Sequence, residues 1–290
     1  MAKRRQDEYR TSLITATGND LRKMHLLANV SPRVGDPEEI ISIVADFSVD
    51  EQFEFTGVPV HQLDSWLTAM EEPKTGVLYA VSMDGELHSY RGRSWSVLDL
   101  DCPEGIIRMW AASEDEVFAA GGAGEKIHVV RSIPEIDRDK KSRCLRGVHG
   151  VSKNHVIIVG DKGAICRFDG RGWTDLVSPT NYNLLAVWCR SKKEVYVGGA
   201  RGHAFRSEGD DWERIKCPPV MLYEFAWFQG KLWAAAGEDG VLVLGRDGFE
   251  SAKKLNVFRV RTVADRLFAF GGNLVAVFDG QEWIGTEMDF

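Results

Sequence analysis

The chain has 290 residues, 44% hydrophobic and 27% charged, with a net charge of −7. That length supports a large buried core, and no apolar run reaches the roughly 18 residues a membrane helix needs. The acidic balance argues against general nucleic-acid binding, which needs a basic footprint, and is compatible with a basic protein partner.

In chain order, residues 1–10 are a charged segment with no apolar core of a secretory signal and are expected to form a mobile tail. Residues 11–60 carry four short apolar runs, at 12–18, 26–30, 40–44 and 53–55. They read as a degenerate first copy of the unit that follows, with a helical cap as the competing reading. Between Asp36 and Glu54 there are seven carboxylates and no Lys or Arg.

From residue 61 the chain repeats itself. Turn glycines Gly85, Gly124, Gly163, Gly202 and Gly240 recur at intervals of 39, 39, 39 and 38 residues. Trp110, His149, Trp188 and Trp227 keep the same 39-residue spacing in a preceding run. Trp95, Trp173, Trp212, Phe249 and Trp283 close a later turn, the first two twice 39 apart and the later steps 39, 37 and 34. Three registers in agreement identify a structural repeat, and a period near 39 suits a propeller blade of four strands. Helical pairs share that length. The content decides against them, because the runs are short, β-branched or aromatic, and bounded by Gly.

Each unit reads as strands a to d. In one unit, residues 184–189, 194–198, 203–207 and 212–216 are the four strands, with Gly199 and Gly202 expected to supply the positive φ of the b–c turn. The c–d turns are Asp169-Gly170, Asp247-Gly248 and Asp279-Gly280, with Arg91-Gly92 in the first clear unit. Six clear units span about 61–101, 105–144, 145–180, 183–217, 221–252 and 257–290. The second lacks the closing Trp and carries the charged run 135–143, expected at an exposed outer edge. The prediction is an all-β propeller of four-stranded antiparallel blades in one domain, residues 11–290. Seven blades are favoured, and six if residues 11–60 do not form one.

The phrase Phe168-Asp169-Gly170-Arg171-Gly172-Trp173, preceded by Gly160 and Gly163, resembles the bacterial propeller repeats of the BNR/Asp-box and photosystem-assembly-factor-like group over about residues 61–290. The resemblance implies the fold. It implies no activity, because only Ser207 to Trp212 approaches an Asp-box. The Arg triad, Tyr nucleophile and acids of the group's sialidases match no residues here.

No catalytic motif is found. Gly160-Asp161-Lys162-Gly163 lacks the spacing and the helix of a phosphate loop and reads as a repeat turn. The seven histidines show no metal-binding spacing, and His149 reads as a packed or hub-facing ring in a slot that Trp fills elsewhere. No cofactor and no metal are expected. The recurrent Trp residues read as inter-blade packing, with lining of a ligand channel the alternative for Trp66, Trp110, Trp188 and Trp227. The five cysteines are odd in number and scattered. They read as reduced thiols of a cytoplasmic protein, and Cys166 and Cys189 as small buried hydrophobes.

In a propeller the b–c turns and the d–a connections emerge on one face, and here their tips vary while the framework does not. A constant scaffold with varied tips is how loops carry recognition. The expected partner-binding residues are therefore Asp84, Asp99, Asp101, Glu104, Asp161, Lys162, Tyr182, Arg201, Glu238 and Asp239. A non-catalytic propeller of this kind suits an immunity protein that binds and neutralises a secreted bacterial toxin, a basic enzyme being the finer expectation. The alternatives are a sialidase-like glycan-binding or glycan-hydrolysing propeller, which requires acids and Arg to converge at the hub, and an assembly factor for a larger complex.

Overall fold

Seven four-stranded antiparallel sheets are arranged around a central axis in the computed structural model, which describes residues 9–33, 39–91, 94–139, 141–209 and 211–290. Most of the expected tail (residues 1–8), Asp36 and Glu38 of the acidic run, Gly92 and Asp210 lie outside the described residues. Every sheet is built from four strands consecutive in the chain. Blade 1 covers residues 9–63 and blades 2 to 7 cover 67–99, 106–138, 145–175, 184–215, 224–253 and 259–287.

The middle strands are buried on both faces. The b strand of blade 4, His155–Gly160, is buried at every position, which is why its sequence reads as a continuous apolar run and not as an alternation. Seven apolar clusters lie between the sheets, one at each blade junction. The ring residues of the d strands sit in them as the repeat suggested: Trp95 between blades 1 and 2, Trp173 between 3 and 4, Trp212 between 4 and 5, Phe249 between 5 and 6, and Trp283 between 6 and 7. Trp173 lies tilted against Phe168, 5.2 Å between centroids, a contact that adds to the apolar gain of burial.

Residues 9–63 form a full blade whose strands, Tyr9–Asp20, Lys23–Pro32, Ile41–Val49 and Phe55–Leu63, are longer than most others. The run at 53–55 marks a turn, with Phe53 at φ 58, and the outer strand starts only at Phe55. Pro59 lies inside that strand, which is tolerable because the strand is an edge with a free side. Residues 135–138 of the charged run of blade 3 fall on the exposed d strand Ile133–Arg138; Lys140 lies outside the described residues. Asp139 turns inward, 6% exposed, and is held by Arg143 at 2.8 Å.

The ring closes between blades 7 and 1 without sharing a strand. Leu13 N–H donates to the Gly272 carbonyl at 2.7 Å and Phe290 N–H to Thr11 Oγ1 at 3.3 Å. Phe47, Phe268, Phe270, Met24, Leu26 and Val275 pack across this junction.

One expectation about the turns needs correction. The beat glycines Gly85, Gly124, Gly163, Gly202 and Gly240 all have positive φ, but Gly199 is extended at φ −176. Gly199 is required for space instead: a Cβ there would lie 2.0 Å from the Asn183 carbonyl oxygen. The left-handed residue preceding Gly202 is Arg201, at φ 55, and its counterpart in blade 4 is Lys162, at φ 54.

Candidate functional site

Two features are candidates for a binding site: the cavity at the hub, and the rim of loops around it. The a strands line the hub. Glu71 comes from blade 2, Arg108 and Trp110 from blade 3, His149 from blade 4, Trp188 from blade 5, Tyr223 and Glu224 from the start of blade 6, and Arg261 from blade 7, around a cavity of about 280 Å³.

Acids and arginines thus meet at the axis. Arg261 is paired with Glu71 and also donates to the Met70 carbonyl at 3.2 Å. Burial pushes the Glu71 carboxyl up, and the guanidinium pulls it back. Glu224 accepts a hydrogen bond from Val260 N–H at 3.0 Å. Arg108 and Arg259 each donate to the carbonyl of the preceding residue, at 2.7 and 3.4 Å. Among the described residues neither makes an ion pair. Desolvation, with a smaller push from Arg259, lowers Arg108 to about 9, and desolvation lowers Arg259.

His149 is packed and hub-facing, as its slot suggested. Its ring stacks on Trp188 at 4.1 Å and lies 5.9 Å from Trp110. Cys189 N–H donates to Nδ1 at 3.0 Å, so Nδ1 carries no proton. Desolvation pushes the ring down to about 3. A base whose folded value lies below its unfolded value of 6.5 takes no proton in the fold while the unfolded chain does, so the fold loses stability as pH falls from 6.5 towards 3. The expected result is a His149 ring resonance that stays flat from neutral pH to about pH 4 in NMR titration. A midpoint near 6.5 would place the ring in water. Trp110 and Trp188 line the cavity, whereas Trp227 stands under Arg190, with the guanidinium 4.6 Å from its ring.

At the rim, the ten expected residues fall into groups. Asp84, Asp99, Asp101 and Glu104 converge: the first sits on the b–c tip of blade 2, and the others on the d–a connection that runs past that tip. Leu100 N–H donates to the Gly85 carbonyl at 3.0 Å, which zips the two segments together. All four residues are exposed. Asp84 accepts the Ser65 hydroxyl at 2.7 Å, Asp99 accepts Asp101 N–H at 2.8 Å, and Arg138 lies 3.7 Å from Asp101.

Lys162, Tyr182 and Arg201 form a second group between blades 4 and 5. Lys162 N–H donates to Asn183 Oδ1 at 2.9 Å. The Arg201 guanidinium lies 5.7 Å from the Tyr182 ring, and that ring stacks on His203 at 4.0 Å. Asp161 does not join them. It is half-buried and takes both of its contacts from Arg146. Glu238 and Asp239 stand exposed on the tip of blade 6, apart from both groups.

The hub charges Glu71, Arg108, Arg146, Glu224, Arg259 and Arg261 were not picked out from the sequence. Arg108 and Arg146 are interior charges of otherwise uncharged a strands, which is a local signal that could have found them. Glu71 sits beside Glu72 and Lys74, Arg259 and Arg261 share one strand, and Glu224 begins its strand, so the others carry no such mark.

The buried thiols are inert: burial and the Asp175 carboxylate push Cys166 up to about 12, and burial pushes Cys189 up further still. Among the described residues no helix is long and apolar enough to cross a membrane.

No family profile matches the chain. Over 142 residues it is 28% identical to the immune protein Tsi7 of Pseudomonas aeruginosa, a stretch that is 47% of this chain and 46% of that protein. The chain therefore spans under half the length of that curated relative. Among solved structures, the WD40 propeller domain of Doa1 superposes with a TM-score of 0.75 at 10% identity, over 94% of this chain and 93% of that one. YCF48 bound to D1 peptide superposes with a TM-score of 0.57 at 14% identity, over 85% of this chain and 96% of that one. At such identities the likeness is one of fold, and the fold is a seven-bladed β-propeller.

Proposed function

We propose that this chain is a non-catalytic propeller of the immunity type, which binds a toxin protein through its loop face and so neutralises it. The observation that carries the reading is the 28% match to an immune protein, on a fold whose loops offer exposed charge at fixed positions. The finer reading is of a bacterial cytoplasmic protein whose partner is a secreted basic enzyme. The net charge of −7 supports it, as does the acidic crescent of Asp84, Asp99, Asp101 and Glu104, because opposite fields speed encounter.

Capture from the native cell, followed by co-expression with the captured protein, tests the reading. The expected result is one dominant partner whose toxicity this chain suppresses. Reversing Asp99 and Asp101 together to Lys is expected to slow association by about tenfold, most strongly at low salt. No stable partner, and no protection, would remove the proposal.

A glycan-binding reading keeps one specific observation, the meeting of Glu71, Glu224, Arg108 and Arg261 at the hub. Binding or turnover on a glycan array, lost in Arg108→Gln, would favour it over the first.

A further inference from the structure

We propose that the loop face is electrically divided, and that its cationic sector at blades 4 and 5 receives an acidic segment of the protein partner. The inference rests on the loop-face reading above and adds the partner's chemistry and its orientation.

Lys162 and Arg201 occupy the same position of two neighbouring b–c turns, and both have left-handed backbones, at φ 54 and 55. Glycine or asparagine adopts that conformation at lower cost. Eight other non-glycine residues among the described ones share that backbone, but these two put a long cationic side chain on it at equivalent tips of adjacent blades, at a modest local cost. Both are exposed. In a chain of net charge −7 a nearby carboxylate would be easy to find, yet among the described residues neither side chain makes an ion pair.

The surroundings fit a docking site. Tyr182, 39% exposed, is fixed from below by His203, and His203 Nδ1 lies 2.9 Å from Thr180 Oγ1. Thr180 Oγ1 also accepts Tyr182 N–H at 3.1 Å. A braced aromatic ring beside an arginine is the composition favoured in the buried centre of interfaces. Just inside the sector Asp161 is taken up by Arg146 and so leaves Lys162 without a competing carboxylate.

On either side of this sector the rim is acidic, with Asp84, Asp99, Asp101 and Glu104 in one direction and Glu238 and Asp239 in the other. A partner carrying carboxylates opposite blades 4 and 5 and basic groups opposite the crescent can seat in one rotation only. A rotation that brings the partner's carboxylates over either acidic group sets like charges face to face.

The test has two arms. On the protein alone, fluorescein-labelled hexaglutamate is the probe, read by anisotropy at low salt. Wild type is expected to bind it despite the overall negative charge, and the double variant Lys162→Glu/Arg201→Glu is expected to lose about tenfold or more. Equal binding by the two overturns the sector. On the captured partner, Arg201→Glu is expected to weaken the complex by about tenfold. A carboxylate-to-lysine change on the partner's facing segment is expected to restore it. If Arg201→Glu and Lys162→Glu bind like wild type while the Asp99 and Asp101 reversals weaken the complex, the sector is wrong and the loop-face reading survives. If neither set has an effect, that reading falls as well. Lys162→Gly separates function from folding: it is expected to melt at a higher temperature, its backbone relaxed, and to bind hexaglutamate more weakly. A lower melting temperature with unchanged binding overturns the argument from strain.

Discussion

Gly163→Ala is expected to destabilise the fold by about 3 kcal/mol or more, read from the urea denaturation midpoint. Two costs combine. The residue sits at φ +71, where a Cβ is disfavoured by about 1 kcal/mol. That Cβ would also lie 1.9 Å from the Thr180 carbonyl oxygen and 2.8 Å from Ser178 Oγ, so the d–a connection would have to move away from the tip. Gly230 separates the two costs. It has nearly the same backbone, φ +75, but nothing within 4 Å, and Gly230→Ala is expected to cost only about 1 kcal/mol. Equal losses in the two variants would mean that the close approach at Gly163 has no weight. The displaced connection carries Thr180 and Tyr182, so the same substitution is expected to loosen the aromatic brace under Arg201.

The second large effect lies at ring closure. Phe47 is 1% exposed and its ring centroid is 6.3 Å from both Phe55 and Phe268. Phe47→Ala is expected to cost about 3–5 kcal/mol, the transfer of the ring plus the cavity it leaves. Val97, 54% exposed on an outer strand, is the control, and Val97→Ala is expected to stay within about 0.5 kcal/mol of wild type. Urea melts followed by tryptophan fluorescence measure both. A loss at Phe47 below about 1 kcal/mol would show that the junction of blades 7 and 1 repacks freely. Every other junction has a connecting segment of chain across it, whereas this one relies on packing and a few hydrogen bonds.

Which parts of this could be read from the sequence follows from how local each constraint is. The blade beat was legible because a turn glycine, a d-strand ring and an a-strand ring each recur in register. Blade 1 was blurred because its markers are absent. No Trp closes its turn, its b strand ends at Pro32 while its c strand begins only at Ile41, and Gly57 and Pro59 break the β-rich pattern in the sequence of the outer strand. Gly57 has its own reason: a Cβ there would lie 2.7 Å from the Met288 side chain, which covers the strand from blade 7. The convergence of charges at the hub was illegible in principle. Glu71 and Arg261 are 190 residues apart in sequence, and only closure of the ring brings them together. At the rim the repeat located the loop tips, but the sign of φ at Lys162 and Arg201, and the retreat of Asp161 into its pair with Arg146, depend on turn geometry that neighbouring residue types do not fix.

Sheets made from four successive strands have a consequence for how the molecule comes into being. Each blade has all its backbone partners within a few dozen residues, so it can pair as it leaves the ribosome, without waiting for a distant segment. Only the last step is long-range, when the final blade meets the first. Until then the nascent protein is an open arc with two bare apolar flanks, and that interval is its period of greatest exposure to aggregation.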